Sequence, residues 1–220
     1  MTLTLATLVG LAGTLLAAGY TVPQFRKLRR MTSATGVSVA ALACSTISGV
    51  AWTVFGILEH ELWVALPAVV AVPATAGAVV LAWFRGGSRE RLWLPVVWLA
   101  VVSAAGLSAY WVGSGPATVV LGSSVALLVT PAALTAWRSH DVSAIAASAW
   151  AMMIVDAVLA GAYGVLADVD ANLIYAAVAT TGSLAILLRI GIPPHVHARL
   201  LRLPDGIDPD VTREELELAA

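Results

Sequence analysis

The chain has 220 residues, of which 60% are apolar and only 11% charged, and its formal net charge is -1. A water-soluble domain of this length carries far more charge, so the composition excludes the soluble classes and predicts an integral membrane protein. A charge this close to zero gives no indication of a nucleic-acid partner.

Seven apolar stretches have the roughly 20 residues that a membrane-spanning helix needs. They cover residues 3–22, 37–58, 62–84, 92–112, 117–137, 143–167 and 172–190. Short polar joints separate them, and only the tail after Pro204 has the composition of soluble sequence. No basic stretch precedes the first span, which is therefore interpreted as a retained helix and not as a signal peptide.

The basic residues indicate the orientation of these spans. If the amino terminus is outside, all 12 lysines and arginines fall on the cytoplasmic side, and the external joints contain none. The positive-inside rule therefore predicts an external amino terminus and a cytoplasmic carboxyl terminus. The compact, Ala/Val/Arg-rich chain favours a plasma membrane.

The chain is similar to itself at the offset that aligns Pro23 with Pro131. The same offset aligns Phe55-Gly56 with Tyr163-Gly164 and needs no gap. Each copy holds three helices, so a second copy joined directly would be inverted, and the fourth span restores its orientation. The predicted fold is all-α and integral to the membrane, with seven transmembrane helices arranged 3+1+3 as two parallel three-helix bundles and an inversion linker helix. The predicted units are 1–85, linker 86–114, 115–191 and a cytoplasmic tail 192–220.

The first repeat contains VPQ, then RKLRRMTSATGVS and AWTVFGILEHELWVALP. With these motifs it resembles the PQ-loop superfamily, and within it is most similar to the SWEET and SemiSWEET sugar facilitators. The likeness covers roughly residues 3–190, and full-length SWEETs share the 3+1+3 layout. It implies facilitated diffusion of mono- or disaccharides by alternating access, without a coupling ion. The second repeat departs from the pattern, with Pro131-Ala132 in place of Pro-Gln.

The proline-glutamine pair has a physical interpretation of its own. Proline removes a helical hydrogen bond, and in a bilayer the freed carbonyl must find a partner in protein or water. Pro23 and Pro131 are therefore predicted to be symmetric hinges near an inner gate, with Gln24 bonding the loosened turn. The alternative is that Pro23 merely ends the first helix at the membrane surface.

The resemblance implies that Trp52, one helical turn before Gly56, faces the substrate. Helical spacing puts Ser48 and Ser45 on the same face, a surface that would stack on a sugar ring and bond its hydroxyls. The repeat mates of these three residues predict a lopsided cavity; they are Ala160, Asp156 and Met153.

The family carries asparagines where this chain has Ala68 and Ala176, so monosaccharide recognition is left open. Asn172 and Thr180, one turn on either side of Ala176, are candidates to supply polar contacts instead.

Asp156 lies in the middle of the apolar segment AMMIVDAVLAG. An ionisable side chain there costs at least ~2.5 kcal/mol, so such residues usually face an internal cavity. Two uses follow, accepting hydrogen bonds from sugar hydroxyls or taking up a proton during transport. The structural alternative is a protonated acid that donates to a neighbouring helix.

The other reactive side chains predict no chemistry. Cys44 is the only cysteine and is interpreted as a small apolar residue. The four histidines lie in joints or the tail and predict no metal site; they are His60, His140, His195 and His197. No enzyme activity, cofactor or nucleic-acid partner is predicted. The expected partners are a small-molecule substrate and the lipid bilayer, and homo-oligomer formation is left open.

Two other functional classes compete with a sugar facilitator. A proton-coupled carrier of amino acids or other small solutes, similar to the lysosomal PQ-loop exporters, would show a pH-dependent flux. A non-transporting receptor or scaffold would bind a partner and conduct nothing.

Overall fold

The computed structural model describes residues 4–30, 32, 34, 38–87, 89–138, 142, 147–193 and 196–197. Within helices, the side chains at 20–24, 27, 131, 132, 135, 138 and 149 lie outside this description. The described chain forms eight α-helices and one short 3₁₀ turn. The helices are α1 Leu5–Arg30, α2 Val39–Leu58, α3 Leu62–Phe84, α4 Trp93–Val112, α5 Gly115–Gly122, α6 Ala126–Arg138, α7 Ala147–Ala167 and α8 Asp170–Gly191, with the 3₁₀ turn at Ser123–Val125.

Five of the described helices are long and apolar enough to cross a membrane. They comprise α2, α3, α4, α8 and the part of α7 from Trp150 to Ala167. Two further apolar segments are shorter: Leu5–Gly19 of α1, and Gly115–Thr130, which spans α5, the 3₁₀ turn and the start of α6. Large apolar side chains stay exposed along the outside of the bundle, for example Leu15, Val96 and Leu188. Such a surface suits a lipid environment and not water, which agrees with an all-helical membrane protein.

Helix α1 runs past the proline-glutamine pair to Arg30, so the alternative in which Pro23 ends the first helix is wrong. The last turns of α1 are held by tertiary contacts. Leu28 is buried against Ala78 and Ala82 of α3, and the Arg85 guanidinium donates to the carbonyls of Leu28 and Arg29. A cationic side chain on the last carbonyls is a favourable helix end, which explains the continuation.

The fifth predicted span, 117–137, is not one continuous α-helix. The Ser123–Val125 turn separates α5 from α6. The Ser123 hydroxyl donates back to the carbonyls of Val119, at 2.7 Å, and Val120, at 3.2 Å. Hydroxyl bonding of this kind competes with the regular ladder and bends helices, so the serine pair accounts for the tighter turn.

Two short joints, α2–α3 and α7–α8, share one backbone geometry. Between α2 and α3, His60 has a φ of 60° and the amide of Glu61 donates to Gly56 at 2.7 Å. Between α7 and α8, Asp168 has a φ of 57° and the amide of Val169 donates to Gly164 at 2.9 Å. These positions correspond at the offset that aligns Pro23 with Pro131, so the sequence similarity extends to the turns.

The helices pack in the same order in both halves. In the first helix set, α1–α3, helix α3 packs against both α1 and α2. In the second helix set, α5–α8, helix α8 packs against α5, α6 and α7. The two sets meet where α1 contacts α7 and where α2 contacts α5, and α4 packs on α2 and α5. A space between the two sets is the consequence of this arrangement.

Candidate functional site

A cavity of about 860 Å³ lies between the two helix sets. Every long helix contributes to its wall, and most of the lining side chains are small or apolar. The polar and aromatic side chains that line it include Ser45, Ser48, Trp52, Trp98, Ser124, Asp156, Asn172 and Tyr175. The cavity is within the size range of small-molecule sites.

Trp52 lies at the centre of the wall where α2 meets the second helix set. Its indole nitrogen donates to the Ser124 hydroxyl at 3.3 Å. Its ring packs edge-on against Phe55 and Tyr175, with centroid distances of 6.0 and 6.2 Å. Edge-to-face pairs at such distances are favourable. Trp52 therefore joins the two helix sets as well as lining the cavity.

Asp156 lines the cavity from α7 and is 9% exposed. The Tyr175 hydroxyl, on α8, donates to Asp156 Oδ2 at 2.5 Å, and it also lies 3.7 Å from the Met153 sulfur. The carboxylate therefore has a neutral hydrogen-bond donor beside it. The ring of Tyr175 also contacts the ring of Trp52. Tyr175 therefore links Asp156 to the aromatic side chains of the wall.

Asn172 is a second buried polar side chain on this wall, 9% exposed. Its Nδ2 donates to the Ala160 carbonyl at 3.4 Å, whereas Oδ1 has no hydrogen-bond partner among the described residues. Ala68 and Ala160 also line the cavity. Ala176 instead faces α7, where a Cβ added at Gly161 would lie 3.0 Å from its Cβ.

The serine face of α2 is shared with α4. Ser45 and Ser48 both line the cavity, and the Trp98 indole nitrogen donates to the Ser48 hydroxyl at 2.9 Å. Helix α4 thus closes one side of the cavity with an aromatic side chain.

One end of the cavity is closed by contacts between the two helix sets. The Tyr163 hydroxyl on α7 donates to Glu61 Oε2, in the α2–α3 joint, at 2.6 Å. Beside this bond lies a buried cluster, here called the joint-end cluster: Phe55, Val64, Leu121, Tyr163, Val169 and Ala171. Its members come from both helix sets, so this end cannot open unless the sets separate.

The opposite end of the cavity reaches residues that are exposed. Ser38, which caps α2, and the Glu90-Arg91 pair before α4 all line the cavity and are exposed. The cavity therefore meets the surface at the end where the basic joints lie.

Four residues of this site were not singled out in the sequence. Tyr175 aligns with Pro67 in the repeat, and Trp98 lies on α4, the predicted linker, for which the sequence shows no repeat counterpart, so neither had a repeat signal. Glu61 lies in a short polar joint between two predicted spans, where a charged residue is expected. Ser124 lies inside an apolar span. An intramembrane serine is a weak signal, because a hydroxyl often bonds its own helix.

The predicted hinge residues stay predictions. The backbone at 23, 24 and 131 is helical, but the side chains of Pro23, Gln24 and Pro131 lie outside the described residues. Of the histidines, His140 and His195 are also outside them. His197 is buried and its Nε2 lies 3.0 Å from the Trp137 carbonyl. Within the described part of the chain, no group of three or more His, Cys, Asp or Glu side chains is placed to hold a metal.

Apolar helices around a cavity with one closed end define a transporter-like membrane protein. Comparison with known families agrees: residues 5–65 match the family described as PQ loop repeat. This match supports the PQ-loop superfamily, whose members are membrane transporters or receptors, and it covers the region of the VPQ motif. No curated protein matches the chain.

Proposed function

We propose that this protein is a carrier that moves a small polar solute, of the sugar or polyol class, down its gradient by alternating access. The observation that carries the proposal is the cavity of about 860 Å³ between the two helix sets. It is closed at one end by Tyr163 and Glu61, and it reaches exposed residues at the other. A binding cavity with unequal ends is what a carrier needs in one of its two states.

The lining supports a solute with a ring and hydroxyl groups. Trp52 offers an aromatic face, and Ser45 and Ser48 offer hydroxyls on the same side of α2. The volume lies within the range of small-molecule pockets, which is large enough for a mono- or disaccharide. In this proposal the solute contacts seven residues of the cavity wall: Trp52, Ser45, Ser48, Asp156, Ala160, Asn172 and Ala68. Ala176 supports them from the α7–α8 contact.

Transport in this proposal requires the closed end of the cavity to open. To open it, the Tyr163–Glu61 hydrogen bond must break and the joint-end cluster must divide between the two helix sets. One charge-assisted hydrogen bond contributes about 1.5–3 kcal/mol, a barrier that thermal motion and solute binding can cross. Rocking of one set against the other would then expose the solute at the far side, with residues 23 and 131 as the proposed hinges.

We place the closed end outside the cell and the basic joints in the cytoplasm of a plasma membrane. In a Cys44→Ala background, an impermeant maleimide should label Ser114→Cys in intact cells. Thr32→Cys should react only after the membrane is permeabilised. The Cys44→Ala protein without an added cysteine is the control. Labelling of Thr32→Cys alone in intact cells would reverse the orientation.

Transport is tested by counterflow of radiolabelled glucose and sucrose into proteoliposomes that contain the purified protein. We expect exchange above protein-free liposomes for at least one sugar, with the same rate at two pH values. The reason is that an uncoupled carrier needs no proton to complete its cycle. Absence of flux for a broad panel of small solutes at both pH values, with folded protein, would refute a carrier. Binding without flux would instead favour a receptor or scaffold.

A proton-coupled carrier is the second candidate, and Asp156 is the observation that favours it. A buried carboxylate beside a tyrosine hydroxyl can exchange its proton with the cavity that it lines. The same proteoliposomes distinguish the two candidates. Accumulation of solute against its gradient when a proton gradient is imposed, lost in Asp156→Asn, would replace uniport by coupled transport.

A further inference from the structure

We propose that the solute of this cavity carries an ammonium group, and that the Asp156 carboxylate receives it. The inference rests on the proposed function and narrows its substrate class to hydroxylated amines, such as amino sugars and amino alcohols. Nothing in the family match assigns a charge to the solute.

The charges that line the cavity favour a cationic solute. Among the described lining residues the charged ones are Asp156, Glu90 and Arg91. Glu90 and Arg91 are neighbours of opposite sign at the exposed end, so their fields largely cancel at a distance. Asp156, near the middle of α7, is then the charge that a bound solute meets. A carboxylate among apolar walls is costly unless a cation or several donors pair with it.

The Asp156 carboxylate has a hydrogen-bond donor from the described residues on only one of its two oxygens. Tyr175 donates to Oδ2, whereas Oδ1 carries no hydrogen bond from the described residues. An ionised carboxylate can only accept hydrogen bonds, so Oδ1 is complementary to a donor. The ring of Tyr175, whose hydroxyl bonds the same carboxylate, packs against the ring of Trp52 with 6.2 Å between centroids. Aromatic rings also attract a cation through their faces.

Four aromatic hydrogen-bond donors that line the cavity already bond acceptors of the protein. Trp52 donates to Ser124, Trp98 donates to Ser48, Tyr163 donates to Glu61 and Tyr175 donates to Asp156. These four donors are therefore committed to the protein. The oxygens of a solute therefore find few free donors among the described lining residues. A solute that brings its own strong donor to Asp156 fits better, and the serine hydroxyls remain for its hydroxyl groups.

Matched pairs of solutes test this inference because the members of each pair differ in one group. Ethanolamine is compared with ethylene glycol, and glucosamine with glucose. Binding to the purified protein in detergent is followed by tryptophan fluorescence, to which Trp52 contributes beside the site, and transport by counterflow in proteoliposomes. We expect the amine of each pair to bind roughly tenfold or more tightly, because a charge-assisted hydrogen bond is about twice as strong as a neutral one.

The decisive variant is Asp156→Asn, which keeps the size of the side chain and an oxygen that can accept from Tyr175. We expect it to bind the two members of each pair within about threefold, whereas Asp156→Glu should keep a preference for the amine. Asp168→Asn is the matched control, since it removes the same charge at an exposed position, and it should leave the preference unchanged. Thermal unfolding of every variant shows whether it is folded.

The outcomes separate this inference from the proposed function. Equal binding of amine and neutral partner by the wild type, or an undiminished preference in folded Asp156→Asn, would overturn the ammonium site. Counterflow of neutral sugars alone would keep the carrier and reject the amine. Binding of ethanolamine that depends on Asp156, without transport of any solute, would keep the site and reject the carrier.

Discussion

Replacing Trp52 by alanine is expected to reduce counterflow by tenfold or more. The side chain lines the cavity, donates to Ser124 and packs edge-on against Phe55 and Tyr175. In the proposed site the indole face covers the bound solute, and loss of an apolar contact of that size removes on the order of 1.5 kcal/mol of binding. Since 1.4 kcal/mol corresponds to a factor of ten in affinity, the expected reduction is at least of that size. Initial rates in proteoliposomes measure it.

Two further variants separate the ring from its hydrogen bond. Trp52→Phe keeps an aromatic face but loses the nitrogen that donates to Ser124. Ser124→Ala removes the same bond from the other partner and leaves the indole in place. If the ring contacts the solute, Trp52→Phe and Ser124→Ala should both keep most of the activity that Trp52→Ala loses.

The contrary result has a definite structural meaning. If Ser124→Ala lowers counterflow as much as Trp52→Ala, Trp52 acts by joining the two helix sets and not by holding the solute. Thermal unfolding of the detergent-solubilised variants must accompany the rates, because truncation of a large aromatic side chain can cost several kcal/mol of stability. A folded Trp52→Ala protein with unchanged counterflow would remove Trp52 from the site.

Helix positions were largely predictable because hydrophobic length decides them in a membrane. The third span was predicted at 62–84 and is observed there, and the predicted and observed second and fourth spans end at the same residues. The first span differs because composition does not show tertiary contacts, and the fifth because hydropathy does not show a hydroxyl that bonds the backbone of its own helix. Arg85 stabilises the end of α1 from another helix, and the Ser123 hydroxyl tightens the α5–α6 connection.

Only some of the residues that line the candidate site could be selected from the sequence. Trp52 was selected by the family resemblance, Ser48 and Ser45 followed from helical spacing, and Asp156 stood out as an acid in an apolar span. Tyr175 and Trp98 could not be found in this way, since an aromatic residue in a membrane helix usually packs or anchors. Only the fold brings Tyr175 to Asp156. The partner of an intramembrane charge therefore had to come from the structure.

Gly56→Ala is expected to lower the thermal unfolding midpoint by several degrees and to reduce the yield of folded protein. A Cβ at this position would lie 2.6 Å from the Ala65 backbone nitrogen and 3.0 Å from its Cα. Overpacking costs about 1–3 kcal/mol, which exceeds the roughly 1 kcal/mol that alanine gains over glycine in a helix. Gly106 is the control, since a Cβ there meets nothing within 4 Å. Gly106→Ala should leave the midpoint unchanged or raise it.

The two glycines differ in the atoms that an added Cβ would meet, and this difference allows a sharper test. Gly161, in the second helix set, has the milder clash. A Cβ at Gly161 would meet only the Ala176 Cβ, at 3.0 Å, so Ala176→Gly should rescue Gly161→Ala. Ala65→Gly should not rescue Gly56→Ala, since the backbone nitrogen that obstructs the new Cβ remains. Rescue of both pairs would mean that the backbone at the α2–α3 joint can shift to accommodate the added Cβ. The rigid closed end that the carrier proposal requires would then have to be sought elsewhere, because Glu61 lies in this joint and Phe55 in the last turn of α2 before it.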